Sequence, residues 1–306
     1  MPLLFPMLTN EERVRRLEPP KRTVRAVLDT DTYNEIDDQF AVVYALLSPE
    51  RLKMEAFYAA PFHNELSDGP KDGMEKSYKE LTKILGLMNS GIPAYPGSDR
   101  YLSGPDTPVE SEAARNLVER AMASSEDDPL YVLSIGAITN VASAILMEPE
   151  IIRKIVVVWL GGHSFQWNDT REFNLFQDIH ASRTIMDCGV PLVLIPCMGV
   201  TTHLLTTLSE IRDYVKDQGE IGHYLYEVYR DCITDHKGSS RVIWDISTVA
   251  FMNNENWTPS SLVPSPHISE DFRWGMDSSR HLIRYVNHIH RDPVFKDLFA
   301  KLQTKG

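Results

Sequence analysis

Apolar and polar positions along this chain switch repeatedly between two periods. Residues 24–28 form a short β-prone run that ends in acid, and residues 36–47 place apolar side chains at 36, 40, 43 and 47, the spacing of one helix face. The pairing recurs, with a strand over 53–59 before a charged amphipathic helix over 71–87. A helix over 111–123, a strand over 130–133 and a helix over 139–147 follow. Residues 155–160 are wholly apolar and 192–195 repeat that pattern, as expected of strands covered by helices on both faces of a parallel sheet. Beyond 205 the spacing predicts helices over 208–216, 224–233 and 242–252, strand-like segments near 262–268 and 281–287, and a closing helix over 293–302. This order predicts an α/β fold. Its sheet should be twisted, mainly parallel and flanked by helices, with an open Rossmann-like core and ligands at the carboxyl ends of the strands. No linker-like or repeated segment interrupts the pattern. Residues 1–306 therefore read as a single domain, with an N-terminal extension over 1–22 and a helical part plus C-terminal strands and helix over 205–306.

Composition narrows the picture. With 306 residues, 42% hydrophobic and 24% charged, the chain can bury a core without disulfide staples. Cys188, Cys197 and Cys232 are too few and too scattered for a disulfide framework or a cysteine-based zinc site. No run of about 18 apolar residues exists, which predicts no membrane span. The apolar stretch Met1–Met7 is short and lacks the order of a signal peptide, so a cytoplasmic protein is the simplest expectation. A net charge of −12 without a basic stripe argues against a nucleic-acid partner. A small neutral ligand, or one held through a metal, fits better.

The chemistry concentrates at Leu28-Asp29-Thr30-Asp31-Thr32-Tyr33-Asn34-Glu35-Ile36-Asp37-Asp38. Here five acids fall at a strand end and the following helix start, the mouth of an α/β sheet. Crowded carboxylates raise one another's pKa and destabilise a fold unless a cation or hydrogen-bond donors neutralise them. A hard divalent ion is the natural occupant of such an oxygen-rich set. The plain alternative is a solvated turn whose Asp37 and Asp38 favour the helix dipole. An EF-hand is excluded, because position 12 counted from Asp29 is Phe40 and not a bidentate Glu. An apolar strand ending in Asp-x-Asp also opens phosphatases of the haloacid dehalogenase type, with Asp29 as nucleophile, Asp31 as acid and magnesium as cofactor. That reading lacks its later acids: the strands at 155–160 and 192–195 run into Gly161-Gly162-His163 and Pro196-Cys197.

The aspartate cluster resembles the signature of the nucleoside hydrolase family, and further motifs follow in that family's order. Ala59-Ala-Pro-Phe-His-Asn64, Ile92-Pro-Ala-Tyr-Pro-Gly97, Leu133-Ser-Ile-Gly-Ala-Ile-Thr-Asn-Val-Ala142, Trp159-Leu-Gly-Gly162, Glu172-Phe-Asn174 and Ile243-Trp-Asp245 are each similar to a family segment. Together they cover roughly residues 24–252. The resemblance implies hydrolysis of nucleoside N-glycosidic bonds with a calcium ion (Ca2+) held by Asp31, Asp38, Asp245 and the Ile135 carbonyl. It further implies Asp31 as the base that activates water, Asp37 and Asn64 on the ribose hydroxyls, and Glu172, Asn174 and Asn168 at the 5′ end of the sugar. Asp29 would stand behind, orienting Asp31 or the ion. Trp244 resembles the purine-specific branch and implies stacking on a purine base, and the family forms dimers and tetramers, which implies a homo-oligomer.

Each residue also has a plainer reading. Asp245 could cap a helix, Trp244 could be core, Asn64 could be an ordinary loop residue, and Glu172-Phe-Asn174 could be a turn with a buried Phe. The histidines are assigned no catalytic role. Two departures from the family stand out. The Asp31–Asp37 spacing is two residues longer than in the family, with Thr32 in place of a proline and Asn34-Glu35 over the expected ion; the segment 101–109 is shorter than the family's loop over the base. A non-catalytic sugar-binding relative is the remaining alternative, against which the presence of both Asp31 and Asp245 argues.

Overall fold

The computed structural model describes residues 4–304, so the first three positions of the apolar stretch Met1–Met7 lie outside the described residues. Six parallel strands are laid down in turn: β1 (Val24–Thr30), β2 (Leu52–Ala59), β3 (Ala94–Pro96), β4 (Leu130–Ser134), β5 (Ile155–Leu160) and β6 (Leu192–Ile195). Strand Leu282–Val286 adds to β6 in parallel, and Ser260–Pro264 closes that edge antiparallel. The spatial order is β3-β2-β1-β4-β5-β6, then 282–286, then 260–264. After β1 the chain winds outward through β2 and β3, then returns to the other side of β1 with β4. The winding direction therefore reverses between β1 and β4, which opens a crevice at their carboxyl ends. The expected twisted, helix-flanked, mainly parallel α/β sheet is what the chain forms.

Successive side chains of β1 pass to opposite faces, and both faces are packed. Leu28 joins Phe57, Leu133 and Val158 on one side, while Val27 joins Tyr58, Val132, Val157 and Trp159 on the other. Full burial of such side chains stabilises the fold by roughly 1.5–3 kcal/mol each. Helix Asp37–Leu46 follows β1 directly and is buried on every side from Asp37 to Ala45. The 36, 40, 43, 47 spacing foretold a helix with one apolar face. Its other side is covered by helix Ile246–Asn253, itself buried throughout 246–252, so no face is left for solvent.

Some boundaries differ from expectation. The helix expected over 242–252 begins at Ile246, because Arg241–Val242 pairs instead with Leu205–Thr206 as a short antiparallel ladder. Helix Gly219–Asp231 starts earlier than predicted, and the 262–268 segment divides into Ser260–Pro264 and a two-residue strand, His267–Ile268. The extension contains an unpredicted helix, Asn10–Leu17, opened by a capping box in which Thr9 Oγ1 accepts from Glu12 N and Glu12 answers to Thr9 N. Among the described residues no helix is long and apolar enough to cross a membrane.

Candidate active site

The crevice at the β1–β4 switch point is a cavity of ≈ 190 Å³. Asp31, Asp37, Asp38, Asp245 and Ile135 line one part of it, Glu172, Asn174 and His163 another, and Trp244, Cys197 and Met198 complete the wall. Asp29 and Asp31 differ by one step of the strand end and have opposite surroundings. Asp29 is sealed below the cavity, where Asn140 Nδ2 donates to its Oδ1 at 2.7 Å and Ser134 Oγ to its Oδ2 at 3.2 Å. Asn140 also donates to the Ala59 carbonyl and accepts from Ser98, so one amide ties Asp29 to the ends of β2 and β3. Burial still pushes the Asp29 carboxyl up to about 7 against those donors. A nucleophilic role for Asp29 is incompatible with this placement.

Asp31 is equally buried, yet among the described residues neither of its carboxylate oxygens has a hydrogen-bond partner. Gly136 makes room for it: a Cβ there would stand 3.0 Å from the Asp31 carboxylate. Asp37, Asp38 and Asp245 bring one carboxylate oxygen each to within 4.8 Å of one another. Thr30 Oγ1 donates to Asp38 at 2.5 Å, and the Trp244 backbone N–H donates to Asp37 at 3.0 Å. Burial is the largest cause raising all four carboxyls. Repulsion adds to it, from Asp38 on Asp31, from Glu35 on Asp37, and from Asp37 on Asp245. Asp38 is pushed up to about 7, moderated by Thr30. Four buried acids with so few donors, one of them with none, form a donor set suited to a hard divalent cation.

Glu172 and Asn174 line the cavity but are bound into its wall. Glu172 caps helix Phe173–Gln177: Oε1 accepts from Asn174 N at 2.9 Å, and Oε2 from Gly162 N at 2.8 Å and Leu175 N at 3.0 Å. Gly162 supports this with φ +70°, a conformation other residues rarely adopt. Asn174 Nδ2 donates to the carbonyls of Ile135 at 3.2 Å and Leu160 at 3.0 Å, so it braces the Ile135 carbonyl. Asn64 and Asn168 do not line the cavity. Asn64 is drawn aside by Asn34, to whose Oδ1 it donates at 2.7 Å, and Asn168 is exposed because the 164–167 turn carries it outward.

The sequence sets His163 beside a matched motif as a candidate pocket-lining residue, which the cavity bears out, whereas Cys197 and Met198 carry no such signal. His163 Nδ1 accepts from Met198 N at 3.4 Å, which leaves Nε2 as the protonated nitrogen of the neutral ring, and burial lowers its pKa. The Cys197 thiol faces Glu172, and burial pushes it well up. Position after Gly161-Gly162 was the one signal available for His163, and nothing in the sequence near Cys197 marked it. The longer loop after Asp31 is pinned on two sides, by Asn64 and by an Arg241–Glu35 ion pair at 2.7 Å.

A family model settles which lineage this crevice belongs to. The model of the inosine-uridine preferring nucleoside hydrolases matches residues 26–278. The chain belongs to this family. Among curated relatives, the pyrimidine-specific ribonucleoside hydrolase RihA of Escherichia coli O81 (strain ED1a) is 28% identical over 183 residues. That match takes in 52% of this chain and 56% of RihA, so the chain spans about half the length of the curated relatives it matches. Among solved structures, the purine-preferring ribonucleoside hydrolase from Gardnerella vaginalis superposes with a TM-score of 0.75 at 18% identity, over 92% of this chain and 98% of that one. The inosine-uridine preferring nucleoside hydrolase from Bacillus anthracis gives 0.69 at 16%, over 92% and 99%. Both share the nucleoside hydrolase fold with this chain.

Proposed function

We propose that this nucleoside hydrolase family member cleaves the N-glycosidic bond of ribonucleosides with calcium, releasing free base and ribose. The observation that carries the reading is Asp31, buried on the cavity wall with two unpartnered carboxylate oxygens beside Asp37, Asp38 and Asp245. Asp31, Asp38, Asp245 and the braced Ile135 carbonyl would hold the ion. When bound, calcium lowers the pKa of water and grips vicinal hydroxyls.

In this reading Asp31 takes a proton from the attacking water. The C1′–N bond breaks with its electron pair leaving on the base, which gains a proton in turn. Asp37, with one oxygen held by the Trp244 N–H, accepts a ribose hydroxyl on the other. Surrounding carboxylates stabilise the positive charge that builds on the sugar. His163 offers an Nε2–H to the departing base, and Trp244, which also lines the cavity, favours a bicyclic purine. Glu172 and Asn174 shape the wall at the sugar's 5′ end. The protein would act in the cytoplasm as a homo-oligomer, with a neighbouring copy closing the base side that the short 101–109 segment leaves open.

Reducing-sugar release from inosine, guanosine, uridine, cytidine and deoxyinosine, with calcium and with a chelator, tests this. Inosine should turn over fastest and deoxyinosine poorly, and the chelator should stop both. No ribose from any substrate sinks the hydrolase reading; faster turnover of uridine than of inosine removes the purine preference alone.

A further inference from the structure

Away from the active site, three histidines meet on the far side of the segment that carries Cys197 and Met198. His203 ends the 3₁₀ turn Thr201–His203, while His288 and His290 alternate along the link between strand Leu282–Val286 and helix Arg291–Gln303. They line one shallow pocket with Asp292. The His203 and His288 rings lie 4.6 Å apart, centre to centre, and those of His288 and His290 lie 4.9 Å apart. None of their ring nitrogens makes a hydrogen bond among the described residues.

The rings meet at tilted and edge-on angles around His288, which gathers three imidazoles on one pocket. Around one tetrahedral ion with metal–nitrogen bonds of about 2.0–2.1 Å, ring centres fall roughly 5 Å apart. Two of the three pairs are close to that figure, with His288 the ring they share. We propose that His203, His288 and His290 form a second metal site, for a borderline divalent cation of the zinc type, with water in the fourth position.

Surrounding structure supports the assignment. The backbone around each histidine is anchored: His290 N donates to the Trp257 carbonyl at 2.8 Å, Asn287 N to Pro259, and Ile243 N to the Leu204 carbonyl beside His203. The nearest cation, Arg291, is occupied by Glu210 at 2.6 Å and Asp292 at 3.1 Å. The nitrogens do not yet converge on one point, so binding requires ring rotation, which is unhindered for the exposed His203 and His290. Ligand type separates the two sites: carboxylates suit a hard cation, and imidazoles suit zinc, nickel or copper. A bound ion would fasten the turn after β6 to the C-terminal helix.

Zinc titration of the full-length chain under saturating calcium, by competition with a chromophoric chelator, tests the site. One equivalent should bind, His288→Ala should weaken it at least ~100-fold, and His203→Ala and His290→Ala at least ~10-fold each. Nitrogen-detected histidine NMR of the unmutated chain should show zinc moving three imidazoles, a readout that does not depend on how the variants fold. No zinc uptake under saturating calcium, or uptake that survives His288→Ala, or zinc shifts absent from these three rings, overturns the proposal. Because calcium occupies the acidic cluster throughout, the outcome is independent of whether nucleosides are substrates.

Discussion

Asp29 and Asp31 are both fully buried and stand two residues apart, yet one is surrounded by donors and the other has none. Glu172 belongs with Asp29, its two oxygens taken up by three backbone N–H groups. Asp37, Asp38 and Asp245 belong with Asp31, facing one another across a few ångströms. The difference separates framework from chemistry. A buried carboxylate that has its hydrogen bonds holds elements together, whereas one left without them is a standing electrostatic cost that only a cation or a reaction justifies.

The sharpest way to break this comparison is Asp31→Asn. Hydrolysis should fall by roughly 10²–10⁴-fold, the usual weight of a positioned base. The thermal midpoint in chelator should hold or rise, since a repelled buried charge is gone. A clear loss of stability would place Asp31 with the framework. Asp245→Ala comes next: calorimetry should show calcium affinity reduced by about 10–100-fold, while the fold survives. Glu172→Gln should do the reverse, lowering stability by roughly 1.5–3 kcal/mol through its charged hydrogen bonds and leaving calcium affinity in place. Denaturant midpoints and calcium titrations of the two variants should therefore cross.

Acidity offers a gentler test. Asp38 and Asp29 rise from an ordinary 3.8 to about 7 in the folded chain. Without a cation, the unfolded chain ionises first, so stability should drop as pH climbs from about 4 through about 7. In the proposed reading calcium would replace protons at the cluster, so the midpoint increase it produces should be larger at pH 8 than at pH 5. Equal increases at both values would mean that the cluster is already ionised. Smallest of all is the Glu35–Arg241 pair, whose side chains are 46% and 27% exposed. A double-mutant cycle should find coupling below ~1 kcal/mol, with KM moved less than about fivefold.

Much of this was legible in the chain. Strands such as Ile155–Leu160 and the acidic mouth after β1 announce themselves, because parallel strands are continuously apolar and acids at strand ends break that run. Helix ends were harder to place. Ile246 begins its helix later than its apolar spacing suggests, because Arg241–Val242 has a strand partner far back at Leu205–Thr206. The helix Asn10–Leu17 was written in Thr9-x-x-Glu12, a local signal passed over beside an unremarkable apolar terminus. Side-chain direction was the least legible. The family resemblance put Asn64 and Asn168 at the sugar, but it carried no sign of the amide of Asn34 or of the turn that takes 168 outward. His163 and Cys197 reach the cavity through the ends of β5 and β6, a proximity that only the strand order creates.

Asp31, Asp37 and Asp38 are synthesised early, and Asp245 follows more than two hundred residues later. A ribosome therefore releases the acidic mouth long before the residue that completes it. Until then the nascent chain carries carboxylates that water can still solvate and a divalent ion can grip only loosely. In the proposed reading, tight ion capture would wait for Asp245, and chains truncated before residue 245 should fail to retain the ion.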